Sequence, residues 1–338
     1  MYPDPLAEAA CSNLKSVVRD ALRHSSGSPA LLVFDRESLL SGLLSTAYAS
    51  ALPEARAIEF SGTKSEEILQ AAEDLPRNAL VVLVESSRFP LAAHRFRVEL
   101  FERGLKVIEH PHLGRILQDE IPAYVDSLAY DAAYYRTVGL ELKRRIDRAP
   151  GAKLLGASGL LLYDGPLEPA KLNIGDYTGQ VNVGGQFPIG EVFTESRDLA
   201  SVSGTVELFA YGAADFSVNA PETPIRLRVE AGRIVAADGA PPDFESILAE
   251  IRGSEGEVWL RELGFGMNRA FTRERRVSDV GSYERMCGIH LSLGAKHAIY
   301  AKPGFSKRRV KYHVDVFAAV ERAEIGGETV YAGGKYVI

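Results

Sequence analysis

The feature that most restricts the fold of this chain is the alternation, in its first half, of short apolar runs with segments of helical periodicity. Residues 79–84 form the clearest buried-strand signal, and residues 30–34, 55–60 and 105–108 are similar runs of strand length. Helical patterns separate these runs. Because parallel strands need a crossover between them, usually a helix, the pattern predicts an N-terminal three-layer α/β domain with a mostly parallel sheet.

The composition and periodicity of the sequence change after a long helical pattern at residues 123–148, which ends at Pro150-Gly151. Glycine becomes frequent and short β-rich runs replace the helices, so that only residues 243–251 have a helical pattern. Two runs at 225–229 and 232–235 flank a tight turn and predict a hairpin. We therefore predict an N-terminal α/β domain at 1–150 and a β-rich α+β domain at 151–338.

Composition and charge exclude several classes of protein. The 338-residue chain has a formal net charge of -6, which gives no electrostatic basis for binding nucleic acid. No apolar run approaches the roughly 20 residues needed to span a bilayer, and the N-terminus lacks the pattern of a signal peptide. Cys11 and Cys287 are too few for a disulfide framework. These observations predict a cytoplasmic protein with no membrane partner.

Metal-binding side chains interrupt apolar runs in the last third of the chain. His313 and Asp315 are two residues apart in a run rich in Val and Phe, so on a strand both point to the same face. His290 lies among small and apolar residues, and Glu262 begins a glycine-containing segment. A lone histidine in an apolar run is most often a core residue. Burying His313 and Asp315 together without a partner is costly, which favours a site of histidines and carboxylates.

Four ordered segments carry a resemblance to a known family. They are Pro188-Ile189-Gly190-Glu191-Val192-Phe193-Thr194, Glu262-Leu263-Gly264-Phe265-Gly266-Met267-Asn268, Gly288-Ile289-His290-Leu291-Ser292-Leu293-Gly294 and His313-Val314-Asp315. Their order and spacing resemble the metallo-aminopeptidases that include aminopeptidase T, aminopeptidase S and PepS. The resemblance implies a site for two divalent ions (zinc, cobalt or manganese) and implies these ligands: Glu191, Glu262, His290, His313 and Asp315.

The same resemblance implies a reaction and an assembly. Enzymes of this family use metal-activated water to remove the N-terminal residue of a peptide, so we expect a small peptide or amino-acid-derived substrate and a homodimer. Glu262 is the candidate for a bridging ligand with a catalytic role. Glu284 is a weaker candidate for the general base or for a residue that supports the ligands.

Two departures from the family pattern leave other functions open. Glu195 and Ser196 stand where the family usually has Ala-Pro, and His297 stands where it has a tyrosine near the catalytic centre. His297 could stabilise an oxyanion, bind a metal or carry a proton. One alternative is an oxygenase that resembles 2,5-dihydroxypyridine dioxygenase, with one iron(II) held by His290, His313 and Asp315. Another is a binding or assembly protein whose site is no longer active.

Overall fold

The computed structural model describes residues 4–91, 96–297, 299–302, 305 and 310–338. Contacts divide the chain into two units, and each unit is built from several segments. The first unit consists of the chain up to Arg136 with Gly175–Ile189 and Arg276–Asp279. The second unit consists of Thr137–Ile174, Gly190–Arg275 and Val280–Ile338.

The α-helices of the described residues are α1 Asp4–Ser16, α2 Leu39–Ala51, α3 Ser65–Glu73, α4 Phe96–Glu102, α5 Ile121–Ser127, α6 Ala132–Ile146, α7 Pro242–Glu255 and α8 Val280–Tyr283. The strands are β1 Ala30–Phe34, β2 Arg56–Glu59, β3 Leu80–Val84, β4 Lys106–His110, β5 Ala152–Leu155, β6 Leu160–Tyr163, β7 Lys171–Asn173, β8 Val183–Gln186, β9 Glu191–Glu195, β10 Val202–Gly212, β11 Val218–Asn219, β12 Ile225–Glu230, β13 Arg233–Asp238, β14 Leu260–Gly266, β15 Gly288–Leu293, β16 Val314–Ala318, β17 Arg322–Ile325, β18 Glu328–Ala332 and β19 Lys335–Tyr336.

The first unit contains a parallel sheet of five strands in the order β2-β1-β3-β4-β8. Alternate residues of its central strands face opposite sides, as Leu31 and Leu32 do in β1. Leu31, Val81 and Val107 pack with residues of α3 and α4 in one buried cluster. Helix α2 contacts β1 and β3, and α1 packs against α2 and α5. The predicted three-layer α/β architecture is confirmed.

The long helix predicted at residues 123–148 is wrong in one respect, because two helices occupy this part of the chain. Helix α5 ends at Ser127, whose hydroxyl bonds back to the carbonyl of Tyr124. Asp131 then accepts a hydrogen bond from the backbone N–H of Tyr134 at 3.0 Å. This is the contact of a helix N-cap, so a new helix begins where the apolar periodicity alone continues without a break.

The second unit contains an antiparallel sheet whose main path is β19-β18-β17-β5-β6-β10-β16-β15-β14-β9-β7, with β11, β12 and β13 joined beside β10. The predicted hairpin is confirmed as β12 and β13. The β-rich character predicted for the second half is also confirmed. Four neighbouring strands, β16, β15, β14 and β9, carry four of the predicted metal ligands, and His313 directly precedes β16.

Strand β8 comes after the domain boundary predicted near residue 150, but it pairs with β4 of the first unit. Gly184 makes this pairing possible, because its φ is +104° and a Cβ there would lie 1.9 Å from the carbonyl oxygen of Val107. By contacts, the chain therefore returns to its first unit after part of the second has been built.

Candidate metal centre

The five predicted ligands come together on four adjacent strands of the second unit. Glu191 begins β9, Glu262 is in β14, His290 is in β15, Asp315 is in β16, and His313 directly precedes β16. The Nε2 atom of His290 lies 3.1 Å from Glu191 Oε1 and 3.2 Å from Glu262 Oε1. The described side chains form two groups in which the donor atoms lie within 4.8 Å of one another, and both groups include Glu262. The groups are Glu191–Glu262–His290 and Glu262–His313–Asp315.

A glycine lets the imidazole of His290 reach both carboxylates. Gly264 of β14 is the register partner of His290 on β15. A Cβ at position 264 would lie 2.0 Å from His290 Nε2, so the ring occupies the space that any other side chain would need. Glycine at this position therefore allows an imidazole from one strand to meet carboxylates carried by the next two.

His313 is oriented by the backbone. Its Nδ1 lies 3.2 Å from the carbonyl oxygen of Lys296, which can only accept, so Nδ1 carries the hydrogen. Its Nε2 faces Asp315 Oδ1 at 3.1 Å. A metal-binding histidine typically donates its other ring N–H to such a carbonyl, which sets the tautomer and the ring orientation. His313 has this arrangement.

The carboxylates create a field that favours positive charge. Burial alone would lower the pKa of His290, but Glu191 and Glu262 raise it well above its ordinary value. Burial is likewise outweighed at His313, where Asp315 raises the imidazole pKa to about 10. Burial disfavours ionisation of Glu262, yet its contacts with His290 and His297 lower its pKa below the ordinary value. A divalent cation bound by these carboxylates and imidazoles would supply the positive charge and displace the imidazole protons.

His297 lies beside Glu262, with Nε2 2.9 Å from Glu262 Oε2 in a geometry outside that of a hydrogen bond. Its Nδ1 accepts from the backbone N–H groups of Ile299 and Tyr300 at 3.2 and 3.4 Å. In the neutral ring the hydrogen is therefore on Nε2. This tautomer makes His297 an N–H donor at the centre.

Glu284 is partly buried near the ligands and contacts an arginine that our sequence reasoning did not select. Arg285 Nη1 lies 2.6 Å from Glu284 Oε1 and 2.7 Å from Glu191 Oε2. Burial, with Glu191 nearby, raises the pKa of Glu284 to about 8. The adjacent acid and base at 284 and 285, six and five residues before His290, are the only signal in the sequence. Nothing local indicates that Arg285 is buried.

A second buried ion pair also escaped the sequence reasoning. Arg261 makes two hydrogen bonds to Glu195, at 2.7 and 3.1 Å, and both side chains are fully buried. The same guanidinium donates to the carbonyls of Ala295 and Tyr300, on either side of His297. Lys302 lies 3.1 Å from Glu195. Glu195, one of the departures from the family pattern, thus helps to hold the segment that carries His297.

The donors present suit a transition-metal ion. Imidazole nitrogen and carboxylate oxygen are common ligands of zinc, manganese, cobalt and iron. Three of the predicted ligands, Glu262, His313 and Asp315, form a group that combines two carboxylates with an imidazole oriented by the backbone. The residues therefore fit a divalent ion, while the choice between these metals depends on more than the set of donors.

Comparison with known proteins shows the fold. No model of a known protein family matches the sequence, and no curated protein matches it. The chain is similar in structure to 2,5-dihydroxypyridine dioxygenase from Pseudomonas putida, with 13% identity, a TM-score of 0.63, and coverage of 98% of this chain and 96% of that one. It is also similar to AmpT, the aminopeptidase T of Thermus thermophilus, with 13% identity, a TM-score of 0.60, and coverage of 98% and 99%. The chain has the fold that these proteins share.

Membrane insertion through a helix finds no support in the described part of the chain. Each helix there is too short or too polar to cross a bilayer.

Proposed function

We propose that this protein is a metal-dependent hydrolase that cleaves an N-terminal peptide or amide bond of a small substrate. The observation that carries the proposal is the position of Glu262, which belongs to both groups of donor atoms. A metal ion held at such a site supplies a bound water of lowered pKa and polarises the carbonyl that the water attacks. The likeness in fold to an aminopeptidase supports the same class of reaction.

The side chains of the centre have different roles in the proposed reaction. Glu262, His313 and Asp315 would hold the ion, and Glu262 would be the carboxylate that accepts a proton from the attacking water. His297 presents an Nε2–H donor where the resembled aminopeptidases have a tyrosine hydroxyl. That donor can stabilise the oxygen on which negative charge develops. Burial of the centre strengthens each of these electrostatic interactions.

The alternative reaction needs a different set of ligands. A dioxygenase of the resembled type would hold one iron(II) through His290, His313 and Asp315. Neither of the two donor groups combines His290 with the His313–Asp315 pair, and both use Glu262. The positions of the donor atoms therefore favour the hydrolase, although the fold is shared with a dioxygenase.

Metal content and its loss in one variant test the proposal. Protein purified without chelator is expected to contain zinc, manganese or cobalt, and to release amino acids from a panel of dipeptides and amides. His313→Ala removes the imidazole that the backbone orients, so metal affinity should fall by about 100-fold or more without loss of the fold. Elemental analysis and urea unfolding measure the two effects.

A matched histidine serves as the control. His112 in the first unit has a left-handed backbone, φ 58°, which asparagine tolerates. His112→Asn should therefore keep its metal and its activity. Normal metal content in His313→Ala would contradict the proposed centre, whereas bound iron with oxygen-dependent turnover would favour the dioxygenase.

A further inference from the structure

Arg285 places a fixed positive charge inside one of the two donor groups. Its side chain is 8% exposed, and its Nη1 lies 2.7 Å from Glu191 Oε2. The other oxygen of Glu191 faces His290 Nε2 at 3.1 Å. In the group Glu191–Glu262–His290, one carboxylate is therefore already paired with a cation, and an arginine side chain keeps its charge at every pH that a folded protein tolerates.

The other donor group has different neighbours. Glu262 contacts the imidazoles of His290 and His297, and Asp315 contacts that of His313. Histidine can give up its proton and bind a metal through the nitrogen that carried it, whereas a guanidinium cannot. The group Glu262–His313–Asp315 is thus the one whose contacts a metal ion can replace.

Charge balance points the same way. The three ligand carboxylates Glu191, Glu262 and Asp315 carry three negative charges when ionised. Glu284, whose Oε1 lies 2.6 Å from Arg285 Nη1, brings the number to four when it is ionised. One divalent ion and the guanidinium supply three positive charges, whereas two divalent ions and the guanidinium supply five, which would leave an excess of positive charge in a buried site. Uncompensated buried charge is strongly unfavourable.

We propose that Arg285 takes the place of a second metal ion, so that the protein binds one divalent ion, at Glu262, His313 and Asp315. This inference rests on the proposed metal-dependent function and narrows it. The site activates water with a single ion, and Glu191 acts as the partner of Arg285. A second metal ion could coordinate the lone pair of a substrate amine, whereas the guanidinium can offer that amine only an N–H donor.

Two matched substitutions separate the donor groups. Each replaces one carboxylate by its amide, so each removes one negative charge with little change in volume. Tag-free protein is stripped with chelator, dialysed and titrated with zinc alone in a calorimeter, and elemental analysis counts the bound ions. Wild type should bind one ion per chain. Asp315→Asn should bind it about 100-fold more weakly, while Glu191→Gln should retain it with an affinity within a few-fold of wild type.

Removal of the guanidinium of Arg285 should allow a second metal ion to bind. In Arg285→Ala, Glu191 is released to join Glu262 and His290, so two ions per chain are expected, whereas Arg285→Lys, which keeps the charge, should bind one. If Arg285→Ala does not fold, the pair Asp315→Asn and Glu191→Gln still decides. Two ions in wild type, or loss of the ion in Glu191→Gln, would overturn this inference and leave the proposed hydrolase standing. No ion in wild type would overturn both.

Discussion

At the scale of single residues, the position of the His290 ring in the metal centre depends on the absence of a Cβ at Gly264. Gly264→Ala would place a Cβ 2.0 Å from His290 Nε2, well inside van der Waals contact, so the ring must move away from Glu191 and Glu262. We expect a loss of about 1–3 kcal/mol in the free energy of unfolding, as is typical of overpacked sites. Displacement of the ring next to Glu262 should also weaken zinc binding by about 10-fold or more. Urea unfolding and zinc titration measure the two effects.

A second glycine provides the control for the backbone. Gly253 lies inside helix α7, and a Cβ there would meet nothing within 4 Å. Gly253→Ala should therefore stabilise the protein by about 0.4–1 kcal/mol and leave zinc binding unchanged. If Gly264→Ala bound zinc as tightly as Gly253→Ala does, the packing of His290 on β14 would not matter to the centre.

At the scale of elements, the buried pair Glu195–Arg261 joins β9 and β14 to the segment that carries His297. Glu195→Ala leaves the guanidinium buried without its carboxylate, and such a change costs about 3–5 kcal/mol of stability. Glutamine at the same position can still accept a hydrogen bond from Arg261, so Glu195→Gln should cost less. Denaturant unfolding of the two variants measures the difference.

An exposed pair of the same residue types is the comparison. Glu257 lies 2.9 Å from Arg233, and their side chains are 47% and 43% exposed. Glu257→Ala should change the free energy of unfolding by less than about 1 kcal/mol, because water screens surface ion pairs. Equal costs for Glu195→Ala and Glu257→Ala would show that burial does not set the strength of the pair.

At the scale of the whole molecule, Glu85 should make global stability depend on pH. It follows β3, is 3% exposed, and accepts a hydrogen bond from the N–H of Phe89 through one oxygen. Burial, and then the charge of Glu109, raises its pKa to about 8. The unfolded chain loses this proton near pH 4.5, whereas the folded protein keeps it until about pH 8. The folded state is therefore penalised progressively as the pH rises through this window.

Glu85→Gln removes this dependence. The stability of the variant relative to wild type should increase between pH 5 and pH 8, by up to about 1.4 kcal/mol for each pH unit. At pH values well below 4.5 the carboxyl is neutral in both states, and the difference should stay constant. The exposed Glu250, changed to Gln, provides the control. Parallel pH profiles for wild type and Glu85→Gln, from urea unfolding, would contradict the prediction.

Local patterns predicted most of the elements and part of the centre. The apolar run at 79–84 contains β3. The spacing of His313 and Asp315 correctly predicted that their side chains lie close together. The partners that were missed are distant in sequence: Arg285 and Glu191 are 94 residues apart. Periodicity reports which face of an element is buried, but it does not report which buried charge meets another.

The late position of β8 shapes how the first unit is completed on the ribosome. Strand β4 ends at His110 and β8 begins at Val183, so about 70 residues of nascent chain separate two neighbours in one sheet. At about 5–20 residues per second, β4 waits roughly 4–14 s with one edge open. An open edge can pair with a strand of another nascent chain. We therefore expect slower translation between these strands to increase the fraction of chains in which β4 pairs with a strand of another chain.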